Sequence, residues 1–480
     1  MKILLVRPYN KESLTVVPPI GLGYLATSLR KKGYKVKILD CIKEKVKPED
    51  FFSILKRRKP DVLGLTIYSS DLIVTKKYLE EIKKINKNIT TIIGGPHPSA
   101  MPKECFDFYQ ELLDFAFVGE AEIGFPLLIE KLEKTKRVKA NSLKNIPGLV
   151  WKHNDKLIIN NPKFPIDLDS LGFPSWDLIK PETYPHAPLG GFARRFPIAY
   201  ILSSRSCPFQ CTFCAAKAIH GSIFRRRGLK DVMKEVKYLI NKRGIKELHI
   251  LDDNFTLNQS FVKEFCQSII NDKLNISWSC SNGIRLDKID KETISLMKKA
   301  GCYSVAVGIE SGSARILKHM RKKLTKEYIK KQVRLISKAG VEVTGLFILG
   351  YPAETKNNIL ETISFAKSLN LTRASFTTFV PLPGSEMWEY LEKKGRLDLS
   401  QLNTLSYYRT DINYMKNVSQ KDFRMLQKKA FIEFYLRPKI FLTLAREIGS
   451  PKHLMAIFKR VLYFINLWLV PKKQSISITN

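Results

Sequence analysis

Cysteine is scarce in this chain, eight in 480 residues, and the scarcity excludes a small scaffold stapled by disulfides. Acidic residues are also short: 45 Asp and Glu face 81 Lys and Arg, a formal net charge of +36. By itself that excess fits a nucleic-acid binder, a membrane-surface binder or a solvated Lys-rich surface. Long apolar runs are missing too. The longest, Val461–Val470, is about half of the ~20 residues that a spanning helix needs, so no transmembrane segment is expected. The opening MKILLVRPYN holds an apolar run of about four residues, against the roughly 7–15 of a signal-peptide core; it reads as a buried strand of a cytoplasmic protein. The hydrophobic fraction, 44%, is enough for ordinary cores and excludes a disordered chain, and the length suggests about three domains at ~150 residues each.

What is present is alternation. Residues 1–140 pair short aliphatic runs (Lys2–Arg7, Lys35–Asp40, Asp61–Ile67, Thr90–Ile93, Phe115–Val118) with helical stretches, the pattern of parallel βαβ units. A five-stranded doubly wound parallel sheet follows, with its ligand crevice beyond the carboxyl ends of the strands. Residues 141–195 are rich in Pro, Gly, Asn and Asp and read as a linker carrying a small hairpin, Leu149–Lys152 with Leu157–Ile159. Residues 196–400 repeat the strand–helix alternation six times, which predicts a partial (β/α)6 barrel whose site lies at the carboxyl ends of its strands. Residues 401–480 are mostly helical and basic.

Three of the cysteines bunch as Cys207, Cys211 and Cys214, directly after the first barrel strand. Thiolates at Cys-x3-Cys-x2-Cys spacing can converge on one soft metal centre. Structural zinc wants four closed ligands, and only His220 stands nearby as a fourth. A 4Fe-4S cluster held by three thiolates leaves one iron open to a small molecule. Cys266, Cys280 and Cys302 are spread over the barrel and read as small buried side chains.

The loop Arg205-Ser-Cys207-Pro-Phe-Gln-Cys211-Thr-Phe213-Cys214 resembles that of the radical S-adenosylmethionine (SAM) enzymes. The resemblance implies that the open iron chelates SAM, that electron transfer yields a 5′-deoxyadenosyl radical, and that Phe213 packs near the adenine. His249-Ile-Leu-Asp252-Asp253-Asn254-Phe255 stands where the family binds the methionine amino group, so that Asp252, Asp253 or Asn254 makes that contact. Asn282-Gly-Ile-Arg285 resembles a segment meeting the SAM carboxylate or ribose, and Gly308-Ile-Glu310-Ser311 a ribose-hydroxyl contact. Gly345 to Glu354 resembles the strand under the adenine. Plainer readings compete: turn glycines, helix caps at Asp252 and Asp253, and a surface pair between Arg285 and Asp287.

The N-terminal region resembles the cobalamin-binding domain of the cobalamin-dependent radical SAM subgroup. The match runs through Pro19-Ile-Gly21-Leu-Gly23-Tyr-Leu, Ser70-Asp-Leu72, Gly94-Gly95-Pro-His97 and Gly119-Glu120-Ala-Glu122. It implies that Ser70, Leu72, Gly94, Gly95, Gly119 and Glu120 line the channel for the nucleotide tail, glycines allowing close backbone approach. The Asp-x-His-x-x-Gly segment is absent after the first strand, where the chain reads Arg7-Pro-Tyr-Asn-Lys-Glu-Ser; the resemblance therefore implies base-off cobalamin without that histidine ligand. His97 reads as an exposed loop histidine. Only Cys41 and Cys105 precede residue 200, too few for the second cluster of the methylthiotransferases.

The basic runs Lys56–Lys59, Arg225–Arg227 and Arg321–Lys323 read as solvated faces, with no aromatic platform beside them for stacking bases. From Phe431 onward aromatic and aliphatic residues, Trp468 among them, interleave with Arg437, Lys439, Arg446, Lys452, Lys459, Arg460, Lys472 and Lys473. That suits a helix packed on the barrel with snorkelling Lys stems, or one lying peripherally in a membrane interface. The resemblance implies methyl transfer to an unactivated carbon of a small or lipid-like substrate, with cyclisation or rearrangement as the alternative. It also implies a low-potential electron donor such as a flavodoxin or ferredoxin. An RNA-interacting protein with a structural cluster is the reading from another class; no appended RNA-binding domain supports it, and nucleic acid is not an expected partner.

Overall fold

The computed structural model describes residues 1–10, 16–134, 139–185, 193–397, 407, 412–438, 440 and 442. The first seven strands are β1 (Lys2–Arg7), β2 (Lys35–Asp40), β3 (Val62–Thr66), β4 (Thr90–Gly94), β5 (Phe115–Phe117), β6 (Leu149–His153) and β7 (Lys156–Ile159). They form one sheet in the order β2-β1-β3-β4-β5-β6-β7. The five expected strands are parallel, and Ile3–Val6 of β1 are buried on both faces, as a sheet covered by helices on each side requires.

The hairpin departs from expectation in its place. It does not stand apart in a linker: β6 pairs antiparallel with β5 through Ala116↔Val150 and Phe117↔Leu149, so the sheet has seven strands. The two-residue turn Asn154-Asp155, both at positive φ, suits the twist of a tight hairpin. Hydrophobic Leu149, Val150 and Trp151 bury into the same cores as β1 to β5, which explains why the segment adds to the sheet.

The second sheet is built from β8 (Ile198–Ile201), β11 (Glu247–Ile250), β12 (Ser277–Ile284), β13 (Cys302–Glu310), β14 (Glu342–Leu349) and β15 (Arg373–Thr378), all parallel and in that spatial order. Between β8 and β11 lies a small antiparallel ladder of β9 (Ser204–Arg205) and β10 (Arg225–Arg226). This is the six-stranded partial barrel expected. Its helices carry ordinary start signals: Thr325 caps Lys326–Lys338, and Thr355 with Asn358 forms a capping box on Lys356–Ser368. The helix Gln420–Tyr435 lies against the outside of β15. Phe431 and Phe434 pack edge-on to Phe376, and Tyr435 Oη donates to the Ala374 carbonyl at 2.7 Å.

The basic aromatic tail beyond that helix, Arg446 to Lys473 and Trp468 with it, lies outside the described residues, as does Lys439. No helix among the described residues is long and apolar enough to cross a membrane.

The two sheets are joined through the first helix, Ile20–Lys31, whose Ile20 and Tyr24 belong to the hydrophobic core of the barrel. Gly23 permits this approach. A Cβ there would stand 2.4 Å from Ile179 Cδ1 and 2.8 Å from Pro174 Cβ.

Gly148, at φ +71°, is the hinge of the hairpin: a Cβ would lie 2.5 Å from the Val118 carbonyl oxygen. Gly148→Ala combines left-handed strain with a backbone clash and is expected to lower unfolding free energy by about 2–3 kcal/mol, read as a shifted urea midpoint.

Candidate active site

The loop that leaves β8 carries the three cysteines. Cys207 and Cys211 are half-buried and Cys214 is exposed; the other five cysteines are buried. Among the described residues no three His, Cys, Asp or Glu side chains converge as a single ion would demand. Burial pushes the half-buried Cys207 and Cys211 thiols up. Opposing this, the Phe209 and Ala216 N–H groups donate to the sulfurs of Cys207 and Cys214, and Lys322 and Arg285 bring positive charge to Cys211. Such donors and cations favour thiolates, and the residues fit an anionic cluster.

Around the loop stand the strand ends singled out above. Phe213 packs partly buried against the cluster of Tyr351 and Phe379. Arg285, 6% exposed, is no surface pair: its guanidinium lies 3.6 Å over the Phe209 ring, donates to Asp287 at 2.9 Å and 3.3 Å, and donates to the Lys322 carbonyl at 3.0 Å. Glu310, at φ +68°, pairs with Lys322 Nζ at 2.7 Å. Gly308 lies directly beneath that pair, since a Cβ there would come within 2.4 Å of Glu310 Oε1 and 2.8 Å of Lys322 Nζ. Lys322 was hidden within a basic run that reads as surface; the chain shows nothing that separates it from Arg321 and Lys323 except this fold.

The three polar residues after β11 divide. Asp252 is fully committed to the protein, accepting from Ser203 N at 2.7 Å and from the Ser203 and Ser204 hydroxyls at 2.5 Å each; burial pushes its pKa up to about 6. It latches the end of β11 to the start of the cysteine loop. Asp253 is half-buried and accepts from Ser206 N–H. Asn254 is buried with no partner for Nδ2. Neither aspartate caps the following helix, Gln259–Asn271, which Asn258 caps at 3.0 Å.

In the N-terminal sheet, Gly94 closes β4 with open space on the side where a Cβ would stand, the cradle a large ligand needs. Gly95 follows at φ +103°. Ser70 accepts at its carbonyl from Asn10 Nδ2 at 3.2 Å, and Leu72 opens the helix Leu72–Ile85. His97 corrects its expectation: it is 1% exposed, its Nδ1 lies 3.0 Å from Ser69 Oγ, and Nε2 has no partner. Burial lowers its pKa to about 4, so the ring is neutral.

Gly119, at φ +72°, faces Pro162 and Phe164 of the connecting segment. Glu120, expected along the nucleotide channel, is instead taken up by the barrel. Its carboxylate meets Arg205 at 2.9 Å, Arg225 at 2.7 Å and 2.8 Å, and His220 at 3.0 Å. Glu122 meets Arg205 at 2.8 Å. Burial alone would raise the Glu120 pKa; hydrogen bonds from Arg225 and His220 and the charge of Arg205 hold it at about 2. Arg225 and Arg227, read as a solvated run, are 4% and 2% exposed. Arg227 binds Asp231 at 2.5 Å and 2.9 Å and also pairs with Glu235, which accepts from Trp176 Nε1 at 2.8 Å.

Comparison with known proteins adds the following. Residues 201–366 match the family model described as radical SAM superfamily, and residues 6–129 match that described as B12 binding domain. An uncharacterized methyltransferase of Pyrococcus horikoshii is 34% identical over 454 residues, 92% of this chain and 94% of its own length. The cytidylyl-2-hydroxyethylphosphonate methyltransferase of Streptomyces wedmorensis is 28% identical, with 86% of each chain covered. The solved cobalamin-dependent SAM radical enzyme OxsB, with aqua-cobalamin and SAM bound, shares the fold at TM-score 0.74 and 16% identity, over 97% of this chain and 71% of its own.

Removing Glu120 as alanine strands buried Arg225, Arg205 keeping Glu122, and is expected to cost about 3–5 kcal/mol, with faster proteolysis between the sheets and unchanged corrinoid content. Corrinoid loss at wild-type stability would return Glu120 to the nucleotide channel. Glu354, buried and accepting from Gly350 and Tyr351 N–H at 2.7 Å and 3.0 Å, is pushed by burial up to about 8 from 4.5. The folded chain therefore keeps a proton that the unfolded chain releases, so this contribution to stability is full below about pH 4.5 and is lost as pH rises through about 8. Urea midpoints across that window should fall in the native protein and flatten in Glu354→Gln.

Proposed function

The chain belongs to the cobalamin-dependent radical SAM family, and within it we propose a methyltransferase that methylates an unactivated carbon of a small-molecule substrate. The observation that carries the reading is the placement of Cys207, Cys211 and Cys214 at the open end of the barrel, on a loop that the B12-binding domain itself grips through Glu120 and Glu122. When bound, the cluster, SAM and cobalamin supply reductive formation of a 5′-deoxyadenosyl radical and a methyl group for transfer.

The chain's own residues bind and orient. Cys207, Cys211 and Cys214 hold the cluster, and Arg285 and Lys322 balance its charge. Asp253 and Asn254 are the assigned partners of the SAM amino group, because Asp252 spends its carboxylate on Ser203 and Ser204. The Glu310–Lys322 pair over Gly308 presents a carboxylate edge to the ribose, and Phe213 an apolar face to the adenine. Ser70 and Gly94 stand at the place assigned to base-off cobalamin, the open space at Gly94 being its fit. The similarity in length and sequence to chains named methyltransferases supports methyl transfer. A low-potential donor of the flavodoxin or ferredoxin type is the assigned electron source.

Anaerobic reconstitution with iron, sulfide and hydroxocobalamin tests the reading. Each of Cys207→Ala, Cys211→Ala and Cys214→Ala should lose bound sulfide and 5′-deoxyadenosine formation while keeping corrinoid absorbance. Unchanged SAM cleavage in Cys211→Ala would sink the cluster assignment.

A further inference from the structure

The helix Gln420–Tyr435 has two unlike faces. At about 3.6 residues per turn, Phe423, Leu426, Ala430 and Phe434 fall on one side, and all four are buried in the core of the barrel. Lys421, Met425, Lys428, Ile432 and Leu436 fall on the other. Met425 is 51% exposed, Ile432 48%, and Leu436, just past the helix end, 73%. Leu442 is exposed a few residues further on. Lys421 is exposed and Lys428 half-buried, so ammonium groups interleave with the apolar side chains.

Both acids of this helix are spent to the side. Asp422 accepts from the hydroxyl of the capping Ser419 at 2.6 Å, and Glu433 meets Lys367 at 2.6 Å and Lys429 at 2.8 Å. The outward face therefore shows apolar groups and cations with no carboxylate among them. Charge separates the occupants open to such a face. A second copy would bring the same lysines to the same patch. The chain's own residues 443–480 hold six Lys and Arg against one acid, Glu447, and so bring the same sign. Like charges pressed together as water leaves repel one another more strongly. A partner with a negative surface and an apolar interior satisfies both kinds of side chain at once, and the convex side of a helix lies along it without a matching groove.

We infer that this face seats the protein on an anionic lipid surface, with Lys421 and Lys428 at the phosphates and Met425, Ile432, Leu436 and Leu442 in the upper acyl layer. The net charge of +36 draws the chain toward such a surface before any contact is made. Nothing in this depends on methyl transfer: the outer wall of the barrel rests on lipid whatever its interior transforms.

Co-sedimentation of the full chain with vesicles is the test. Vesicles of phosphatidylcholine and phosphatidylglycerol in equal parts should bind the protein and vesicles of phosphatidylcholine alone should not. Binding should fall at least about tenfold as NaCl rises from about 0.05 to 0.5 M. Ile432→Glu/Leu436→Glu should weaken binding to the anionic vesicles at least about tenfold with the urea midpoint unchanged. Lys421→Glu/Lys428→Glu should do so through charge alone, and it carries the test if the first variant folds poorly. No sedimentation of the wild-type chain would remove lipid as the occupant, and equal sedimentation of both variants would move lipid binding to another surface; either result overturns the inference. So does a dimer in analytical ultracentrifugation that both variants dissolve, which assigns the face to a second copy. A urea midpoint lowered in both variants would assign it to residues 443–480 and overturn the inference as well.

Discussion

Two carboxylates just beyond the last parallel strand of the first sheet and two guanidinium groups of the small β9–β10 ladder meet out of water, and the remaining architecture answers to that meeting. Glu120 and Glu122 leave β5, while Arg205 and Arg225 face each other across the β9–β10 ladder. Cys207 lies two residues beyond Arg205, so the ladder that the N-terminal domain grips is the root of the cysteine loop. Desolvating four charges is costly unless all are paired. Here each is, and the pairs hold the end of the first sheet against the root of the cysteine loop. Tyr24 and Ile20 join the two halves by apolar contact as well.

The same economy of close approach recurs at the strand ends. Asp252 ties β11 to the loop through two serines, Arg285 covers Phe209, and Lys322 reaches over Gly308 to Glu310. Asp252 and Arg285 restrain the loop from two different strands. A loop carrying the three cysteines proposed as cluster ligands has little regular hydrogen bonding of its own, so its shape must be imposed from outside, and neighbouring strands do so. A preorganised ligand set of this kind loses less order on taking up its metal.

Much of this was legible beforehand because it depends on period and spacing. Alternation with helices showed the five parallel strands of the first sheet and the six of the barrel, and three cysteines after the first barrel strand mark the site proposed for the cluster. What escaped depends on partners far apart in the chain. Arg225 and Lys322 sit in basic runs, and composition reads such runs as surface; only folding shows that Arg225 turns inward to Glu120, more than 100 residues away, that its neighbour Arg227 is buried with Glu235, and that Lys322 turns to Glu310. His97 was misplaced for a related reason, since a loop position says nothing about what later folds over it. Asp252 could have been separated from Asp253 only by knowing that Ser203 and Ser204 stand beside it.

The antiparallel hairpin has a bearing on where this protein can be divided. Residues 1–140 hold all five parallel strands, yet β5 has only three residues, and its outer edge is covered by β6. A fragment ending there would expose that edge to any passing strand. It would also strip Pro162 and Phe164 from Gly119, beside the two glutamates. The smallest piece able to stand alone thus extends past Phe164, and during synthesis the first sheet stays unfinished until the hairpin has emerged from the ribosome.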